Sequence, residues 1–221
     1  MVPLVSKMEI LPVSLEIGSD VPAELVLASG SEVRKRLLAA AGVDFDVLPS
    51  NVDEDAVREA LRSAKDEMVP EDLAELLARA KLEDVLSRTS KRMVLAADQV
   101  LFFDGRYYDK PKDNNEASAH LLAFRGRTHS LHTALVLAEN GEVVWTYNAA
   151  VDVTMRDYSP AFVGRYLAHV GSRALQSVGC YELEGVGAQL IEKIAGDYHA
   201  VLGLPVLPLL AELRNRGIVE C

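Results

Sequence analysis

The sequence predicts an α/β fold with a mixed sheet flanked by helices. Short apolar, β-branched segments alternate with segments of helical periodicity. Two longer β-type runs, 128–138 and 143–155, flank Asn140-Gly141, a dipeptide typical of tight hairpins, and should pair antiparallel. With 221 residues the chain can form one large domain or two small lobes that share a cleft.

The sequence of residues 24–42 predicts a strand, a tight loop and a helix. A strand spans residues 24–28, the loop is 29–31, and a helix follows up to the stop residue Gly42. A second strand at 45–50 leads into NVDED at 51–55, where Asn and Asp favour a helix start. Residues 1–23 carry no signal-peptide pattern and are interpreted as an N-terminal extension.

The middle of the chain combines a strong helix with an unusual strand. Pro70 begins a helix whose leucines share one face, and Lys81 lies beside that face. The next strand, 93–103, is apolar on both faces except at Asp98-Gln99. Because a buried carboxylate without a partner costs several kcal/mol or more, something must compensate Asp98.

The remaining segments complete the alternation of strands and helices. A turn at Asp104-Gly105 precedes a loop and a helix over 115–124. After the hairpin the pattern predicts a helix at 160–170, a glycine-rich strand region over 178–194 and a C-terminal helix after Pro205.

Charge and cysteine content narrow the classes of function. A net charge of −10 argues against a broad surface for nucleic acid, so a phosphate ligand must meet localised cations. The two cysteines, Cys180 and Cys221, form neither a disulfide framework nor a metal pattern, which favours a reducing compartment. No apolar run reaches the length of a membrane span. We therefore expect a cytoplasmic protein with no nucleic-acid or membrane partner.

Several polar residues are not explained by the core pattern. The loop Ser29-Gly30-Ser31 can bind an anion with its amides and hydroxyls or serve as an ordinary helix cap, and Arg34 in the first helical turn favours an anion. Asp98 can pair with a core arginine, bind a metal or act as a general base.

The other charged candidates are equally open when taken alone. Asp53, Glu54 and Asp55 supply either metal-binding carboxylates or a solvated helix start. Lys110 and Lys112 flank a rigid proline and form either a fixed pair of ammonium groups for phosphates or a solvated loop.

Taken together, the motifs resemble those of the Maf family of nucleoside triphosphate pyrophosphatases. They occur in the family's order over residues 24 to about 215: LVLASGSEVRKRLL (25–38), NVDE (51–54), ARAK (78–81), AADQV (96–100), DKPKD (109–113), GRTH (126–129) and GDYHAVLGLP (196–205). The resemblance implies hydrolysis between the α and β phosphates of a nucleoside triphosphate. It also implies one domain of two lobes over 24–221, with an inosine triphosphate pyrophosphatase-like fold.

The resemblance assigns roles to individual residues. It implies that Asp98 is the general base and, with Glu54, binds Mg²⁺ or Mn²⁺, which would compensate the buried charge. Lys81 and Lys110 would join them in catalysis. The phosphates would be bound by Ser29, Gly30, Ser31 and Arg34, with Lys112 a further candidate.

Three positions bear on which base is bound. The family's first arginine in S-P-R-R is Val33, the Thr of A-D-T-V is Gln99, and the usual Gln of G-x-Q-G is Glu184. A carboxylate accepts hydrogen bonds and cannot donate them, so Glu184 favours a base edge with N–H donors such as guanine. Gln99 and Glu184 resemble the family branch associated with 7-methyl-GTP, although that branch usually has Trp where this chain has Val33.

The resemblance also implies partners and an alternative. Family members are commonly homodimers, and a house-cleaning role on non-canonical or methylated nucleotides is expected. The family's link to septum formation suggests a non-catalytic regulator of cell division as the competing hypothesis. Retention of Asp98, Glu54, Lys81 and Lys110 argues against that hypothesis.

Overall fold

The computed structural model describes residues 24–54, 56–57 and 68–220. Its strands are β1 (Leu25–Leu27), β2 (Phe45–Val47), β3 (Met93–Phe103), β4 (Arg106–Tyr108), β5 (Thr128–Glu139), β6 (Glu142–Met155) and β7 (Ile191–Ala195). Its helices are α1 (Glu32–Ala40), α2 (Pro70–Leu86), α3 (Asn114–Phe124), α4 (Pro160–Val170), α5 (Tyr198–Val201) and α6 (Val206–Asn215). None of the helices in this part of the chain combines the length and apolar character needed to cross a bilayer.

The strands form one seven-stranded mixed sheet, which confirms the predicted fold class. The order is β2-β1-β3-β5-β6-β7, with β4 also paired to β3. β1 is parallel to β2 and β3, whereas the pairs β3–β4, β3–β5, β5–β6 and β6–β7 are antiparallel. Hairpins connect β3 with β4 and β5 with β6, and helices lie between the strands of the pairs β1–β2, β3–β5 and β6–β7.

One edge of β3 is left open in the middle of the strand. β1 pairs with Met93–Leu95 and β4 pairs with Leu101–Phe103 on the same side. Within the described part of the chain, no strand pairs with the segment 96–100 on that side, while β5 pairs with the other side continuously from Met93 to Phe102. We call this five-residue opening, 96–100, the β3 window; it contains Asp98 and Gln99.

Apolar packing on the sheet forms separate clusters. Around β1, α2 covers one face of the sheet, and α1 and α6 cover the other. In a further cluster, α3, α4 and α5 pack on β5 and β6 with the segment around Tyr181. The helical periodicity of α2 explains its burial, because its buried residues recur every three or four positions.

The hairpin prediction is confirmed, and one strand prediction is wrong in extent. Asn140 and Gly141 both have positive φ, 51° and 88°, as the tight turn between β5 and β6 requires. The glycine-rich segment 178–194 is not mainly strand: residues Val186–Leu190 form a 3₁₀ helix and β7 begins only at Ile191. Gly187 explains part of this, because a Cβ there would lie 2.4 Å from the backbone nitrogen of Glu182.

Candidate functional site

Lys81 joins two carboxylates at the β3 window. Its Nζ lies 2.5 Å from Asp98 Oδ1 and 2.7 Å from Glu54 Oε1. The Lys81 and Asp98 side chains are 10% and 4% exposed, whereas that of Glu54 is 39% exposed. The ammonium group therefore compensates the buried charge of Asp98, and the two carboxylates lie close together.

Helix α2 places Lys81 at this point. Lys81 continues the buried face of the helix, one turn after Leu77, and that face packs on β3 and β5. The start of the helix is fixed to the sheet by a contact of 3.0 Å between His132 Nδ1 and Glu71 Oε1. The packing of α2 and its contact with His132 determine where Lys81 lies relative to β3.

The segment before the helix start at Glu54 is held by two neighbours. Asp53 caps that start, since its Oδ1 accepts a hydrogen bond of 3.0 Å from the Ala56 amide. The Asn51 amide donates to Asp84 Oδ2 of α2 at 2.9 Å. Asp53 is thus a capping residue, and Glu54 is the carboxylate of the NVDE motif that reaches Lys81.

The loop from Ser29 to Ser31 ends in the cap of α1. Ser31 Oγ accepts a hydrogen bond from the Arg34 amide at 3.4 Å. Ser29 Oγ accepts from the Ser31 amide at 3.3 Å and from the Arg34 guanidinium at 3.2 Å. Gly30 between them is exposed. The loop is therefore both a helix cap and a potential anion site, so the two sequence interpretations are compatible.

Arg34 is anchored inside the protein. Its Nε donates to Gly203 O and its NH1 to Ala97 O, both at 2.8 Å. Burial lowers the pKa of Arg34, and the charges of Asp98 and Glu54 oppose that change. Arg34 is thus within electrostatic reach of both carboxylates, and it supplies the donor that a neighbouring strand would give to the Ala97 carbonyl.

The two lysines of DKPKD lie in different environments. Burial is the largest cause that lowers the pKa of Lys110, which is also influenced by Glu54, Arg34, Lys81 and Asp98. Lys112 is exposed, and its backbone amide donates to Glu116 at 2.7 Å. The structure therefore brings Lys110 to the cluster of Lys81, Arg34, Glu54 and Asp98, hereafter the charged cluster, and gives Lys112 a place in the turn before α3.

The residues predicted to read the base are dispersed. Asp98 shares a sheet face with Val100, which packs towards α2, so Gln99 projects to the opposite face. There the Gln99 amide donates to Ala200 O at 2.7 Å and to Thr133 Oγ1 at 2.9 Å. Gln99 thus fastens α5 to the sheet, and its base-reading role stays a prediction.

Val33 and Glu184 lie on the side of α1. Val33 is half-buried, and Arg36, one helical turn further on, forms an ion pair with Glu184. The Arg36 and Glu184 side chains are 58% and 34% exposed. Glu184 is therefore already paired with a cation, which its sequence position did not reveal.

Comparison with known proteins identifies the family of the chain. The sequence profile described as Maf-like protein matches residues 24–216. The chain belongs to the Maf family. Its 46% identical relative in Mesorhizobium japonicum, named 7-methyl-GTP pyrophosphatase, aligns over 89% of this chain and 98% of that protein. A Maricaulis maris relative named nucleoside triphosphate pyrophosphatase is 40% identical over 88% of this chain and 97% of its own length.

Solved structures that resemble this Maf chain are more distant. The Staphylococcus aureus Ham1 protein matches 60% of this chain and 72% of its own, with a TM-score of 0.37 and 15% identity.

The donor set of this Maf chain fits a divalent cation shared with a substrate. Glu54 and Asp98 offer hard oxygen ligands that converge on one point, now contacted by Lys81. No group of three or more His, Cys, Asp or Glu side chains that could hold a metal occurs among the described residues. Two carboxylates suit Mg²⁺ when substrate phosphates and water supply the remaining ligands.

Two contributors to the Maf site were not predicted from the sequence. Gly203 has a φ of 86°, and a Cβ there would lie 3.4 Å from the Arg34 guanidinium. The motif GDYHAVLGLP contains this glycine, and a glycine permits close approach of another group to the backbone. That the approaching group is Arg34, 169 residues earlier, is seen only in the fold. Arg36 has no such signal, because an exposed arginine on a helix is ordinary and its partner is 148 residues away.

Proposed function

We propose that this Maf protein hydrolyses nucleoside triphosphates between the α and β phosphates, releasing a nucleoside monophosphate and pyrophosphate. The observation that supports it best is the charged cluster at the β3 window, in a chain 46% identical to a 7-methyl-GTP pyrophosphatase. The three cations of the cluster suit a polyanion that the acidic surface of the protein would otherwise repel.

In this proposal the phosphates bind between the start of α1 and the end of β4. The hydroxyl groups of Ser29 and Ser31 and the amide of exposed Gly30 line the first turn of α1, where the helix dipole favours an anion. Arg34, Lys81 and Lys110 neutralise the triphosphate and the charge that develops on the leaving pyrophosphate. Lys112 is a secondary contact, because it lies beyond Pro111, whereas Lys110 is electrostatically coupled to Glu54 and Asp98.

Asp98 is the proposed general base. It accepts a proton from a water molecule whose oxygen forms a bond to the α-phosphorus. The bond from that phosphorus to the oxygen bridging to the β-phosphate breaks, and the electron pair leaves with pyrophosphate. Asp98 is 3% exposed, so it is fixed in orientation and shielded from bulk solvent.

Glu54 and Asp98 are the proposed ligands of Mg²⁺ or Mn²⁺. A divalent cation bound there would polarise phosphate oxygens and lower the pKa of a bound water. Glu54 is the more exposed of the two carboxylates, so it faces the side from which the nucleotide enters.

The proposed substrate class is a purine triphosphate whose base carries N–H donors, including 7-methyl-GTP. Glu184 provides acceptor oxygens and contacts Arg36 of α1, the helix that begins at the phosphate loop. A cationic methylated base would also be attracted to its carboxylate. The name of the Mesorhizobium japonicum relative agrees with this substrate.

The deciding experiment is hydrolysis of GTP, 7-methyl-GTP, dTTP and UTP by the purified protein in ¹⁸O-labelled water. We expect metal-dependent formation of a monophosphate that carries the label, and unlabelled pyrophosphate. Label in pyrophosphate would contradict attack at the α-phosphorus, and nucleoside diphosphate as product would contradict the cleavage site. Absence of turnover with every nucleotide and metal would favour the non-catalytic alternative.

A further inference from the structure

The carboxylates that suit a metal are already bridged by a cation of the protein itself. Lys81 Nζ contacts Asp98 Oδ1 at 2.5 Å and Glu54 Oε1 at 2.7 Å. The distance to Glu54 is that of a charge-assisted hydrogen bond, the contact with Asp98 is shorter, and the lysine side chain is 10% exposed. The ammonium group thus lies where a divalent cation would meet the same two oxygens.

We infer that Lys81 occupies the metal position in the nucleotide-free protein and makes capture of the metal depend on arrival of the nucleotide. This inference rests on the proposed function. An ammonium ion and a divalent cation compete for the same lone pairs and repel each other at contact distance. A metal alone must therefore displace Lys81, which then loses both partners.

A nucleotide removes this obstacle because it offers Lys81 another anion. The lysine stem has four rotatable carbons, so its ammonium can move towards a phosphate oxygen without movement of α2. Arg34 cannot make this exchange, because Ser29, Ala97 and Gly203 hold its guanidinium. Lys81 contacts both carboxylates directly. In this inference the same residue competes with the metal for the two carboxylates and binds the substrate.

The test measures Mn²⁺ binding without nucleotide, by electron paramagnetic resonance and calorimetry, so that turnover is not needed. Lys81→Met keeps the volume of the stem and removes the charge. We expect this variant to bind Mn²⁺ at least about 10-fold more tightly than the wild type, as removal of a competing contact charge predicts. Adding Asp98→Asn to Lys81→Met should abolish the gain.

Lys110→Met is the matched control, because it removes one positive charge that is electrostatically coupled to the same two carboxylates. Lys81→Arg keeps a cation and should bind Mn²⁺ as weakly as the wild type. Equal affinity in Lys81→Met and the wild type, or an equal gain in Lys110→Met, would overturn the inference.

Three further outcomes also test the inference. If Lys81→Met does not fold without metal, its melting temperature with and without Mn²⁺ replaces the affinity: rescue by Mn²⁺ supports the inference and no rescue contradicts it. Tight Mn²⁺ binding by the nucleotide-free wild type would contradict it without any variant. If the affinity gain is found but no nucleotide is hydrolysed, the guarded metal position stands and the proposed function fails.

Discussion

The two ends of the candidate site differ in how their charges are held. At the proposed phosphate end, Lys81 and Asp98 are 10% and 4% exposed and the pair has Glu54 as a third member. At the proposed base end, the side chains of Arg36 and Glu184 are 58% and 34% exposed and form a single ion pair. An exposed pair contributes roughly 0–1 kcal/mol, whereas a buried charge that loses its partner is expensive.

In the proposed function, this difference means that the buried charges act in hydrolysis and the exposed pair selects the base. The buried groups are fixed by α2, by the cap at Asp53 and by the β3 window, so their geometry is common to any nucleotide that binds. The exposed pair can exchange partners at small cost, which permits a base to replace Arg36 on Glu184. Substitutions at the phosphate end should therefore affect every substrate, and substitutions at the base end should change their ranking.

The largest expected effect is that of Asp98→Asn. We expect kcat/KM to fall by about 10²- to 10⁴-fold for all nucleotides, the range for loss of a general base. The fold should persist, because Lys81 keeps its contact with Glu54 at 2.7 Å. Parallel kinetics and thermal unfolding check both statements; activity within a few-fold of the wild type would remove Asp98 from its proposed role.

Lys110 should give the next largest effect and a pH signature. Burial lowers the pKa of Lys110, so its cation is present at low pH and is lost as the pH rises through that lowered value. We expect Lys110→Ala to lower kcat/KM by about 100-fold, as for loss of one transition-state donor.

The pH profile distinguishes charge from bulk at this position. Lys110→Arg keeps its charge to higher pH and should extend activity on the alkaline side relative to the wild type. A common alkaline limb in both proteins would show that another group sets it.

A smaller and selective effect is expected at the base end. Glu184→Gln should lower the kcat/KM ratio of 7-methyl-GTP to dTTP by about 10-fold, because a carboxylate that attracts donors is replaced by an amide. Arg36→Gln should raise that ratio by a few-fold by releasing the carboxylate.

The control for the base end is Lys35→Gln, which removes the same charge from the same helix but breaks a pair with Glu32 instead. It should leave the ranking of substrates unchanged. If Lys35→Gln and Arg36→Gln change the ratio equally, the effect is general electrostatics and Glu184 does not read the base.

The smallest catalytic effect is expected for Gln99→Thr. Its amide donates to Ala200 O and to Thr133 Oγ1, so the loss should be one of stability, about 1 kcal/mol and about 3 °C in Tm. Selectivity should change less than about two-fold. A marked shift towards dTTP with unchanged Tm would instead support a direct role in base recognition.

Local signals explain why much of the fold was predictable. Asn140-Gly141 determines a tight turn through backbone conformation alone, and the apolar face of α2 needs only its own periodicity. The segment 178–194 was mistaken for strand because its conformation depends on tertiary contacts. At Gly187 the backbone of Glu182 approaches too closely for any side chain.

The sequence predicts which residues belong to the candidate site better than it predicts the contacts between them. A charged Asp98 within an apolar strand required a partner, and the structure provides Lys81, whose place beside the apolar face of α2 was visible in the sequence. That the same lysine also binds Glu54 was not visible, since the contact depends on how the NVDE segment lies against α2. The pairing of Arg36 with Glu184 was hidden for the same reason.

Within the β3 window, adjacent side chains of one strand contact the layers on opposite faces of the sheet. Since β5 supports the strand from Met93 to Phe102, the sheet keeps its register although one neighbour is missing for five residues. Asp98 faces the helix that carries Lys81, and Gln99 faces the segment that carries Gly203. Two adjacent residues thus contact the charged cluster on one face of the sheet and, on the other, the C-terminal segment that anchors Arg34, with a single peptide bond between them.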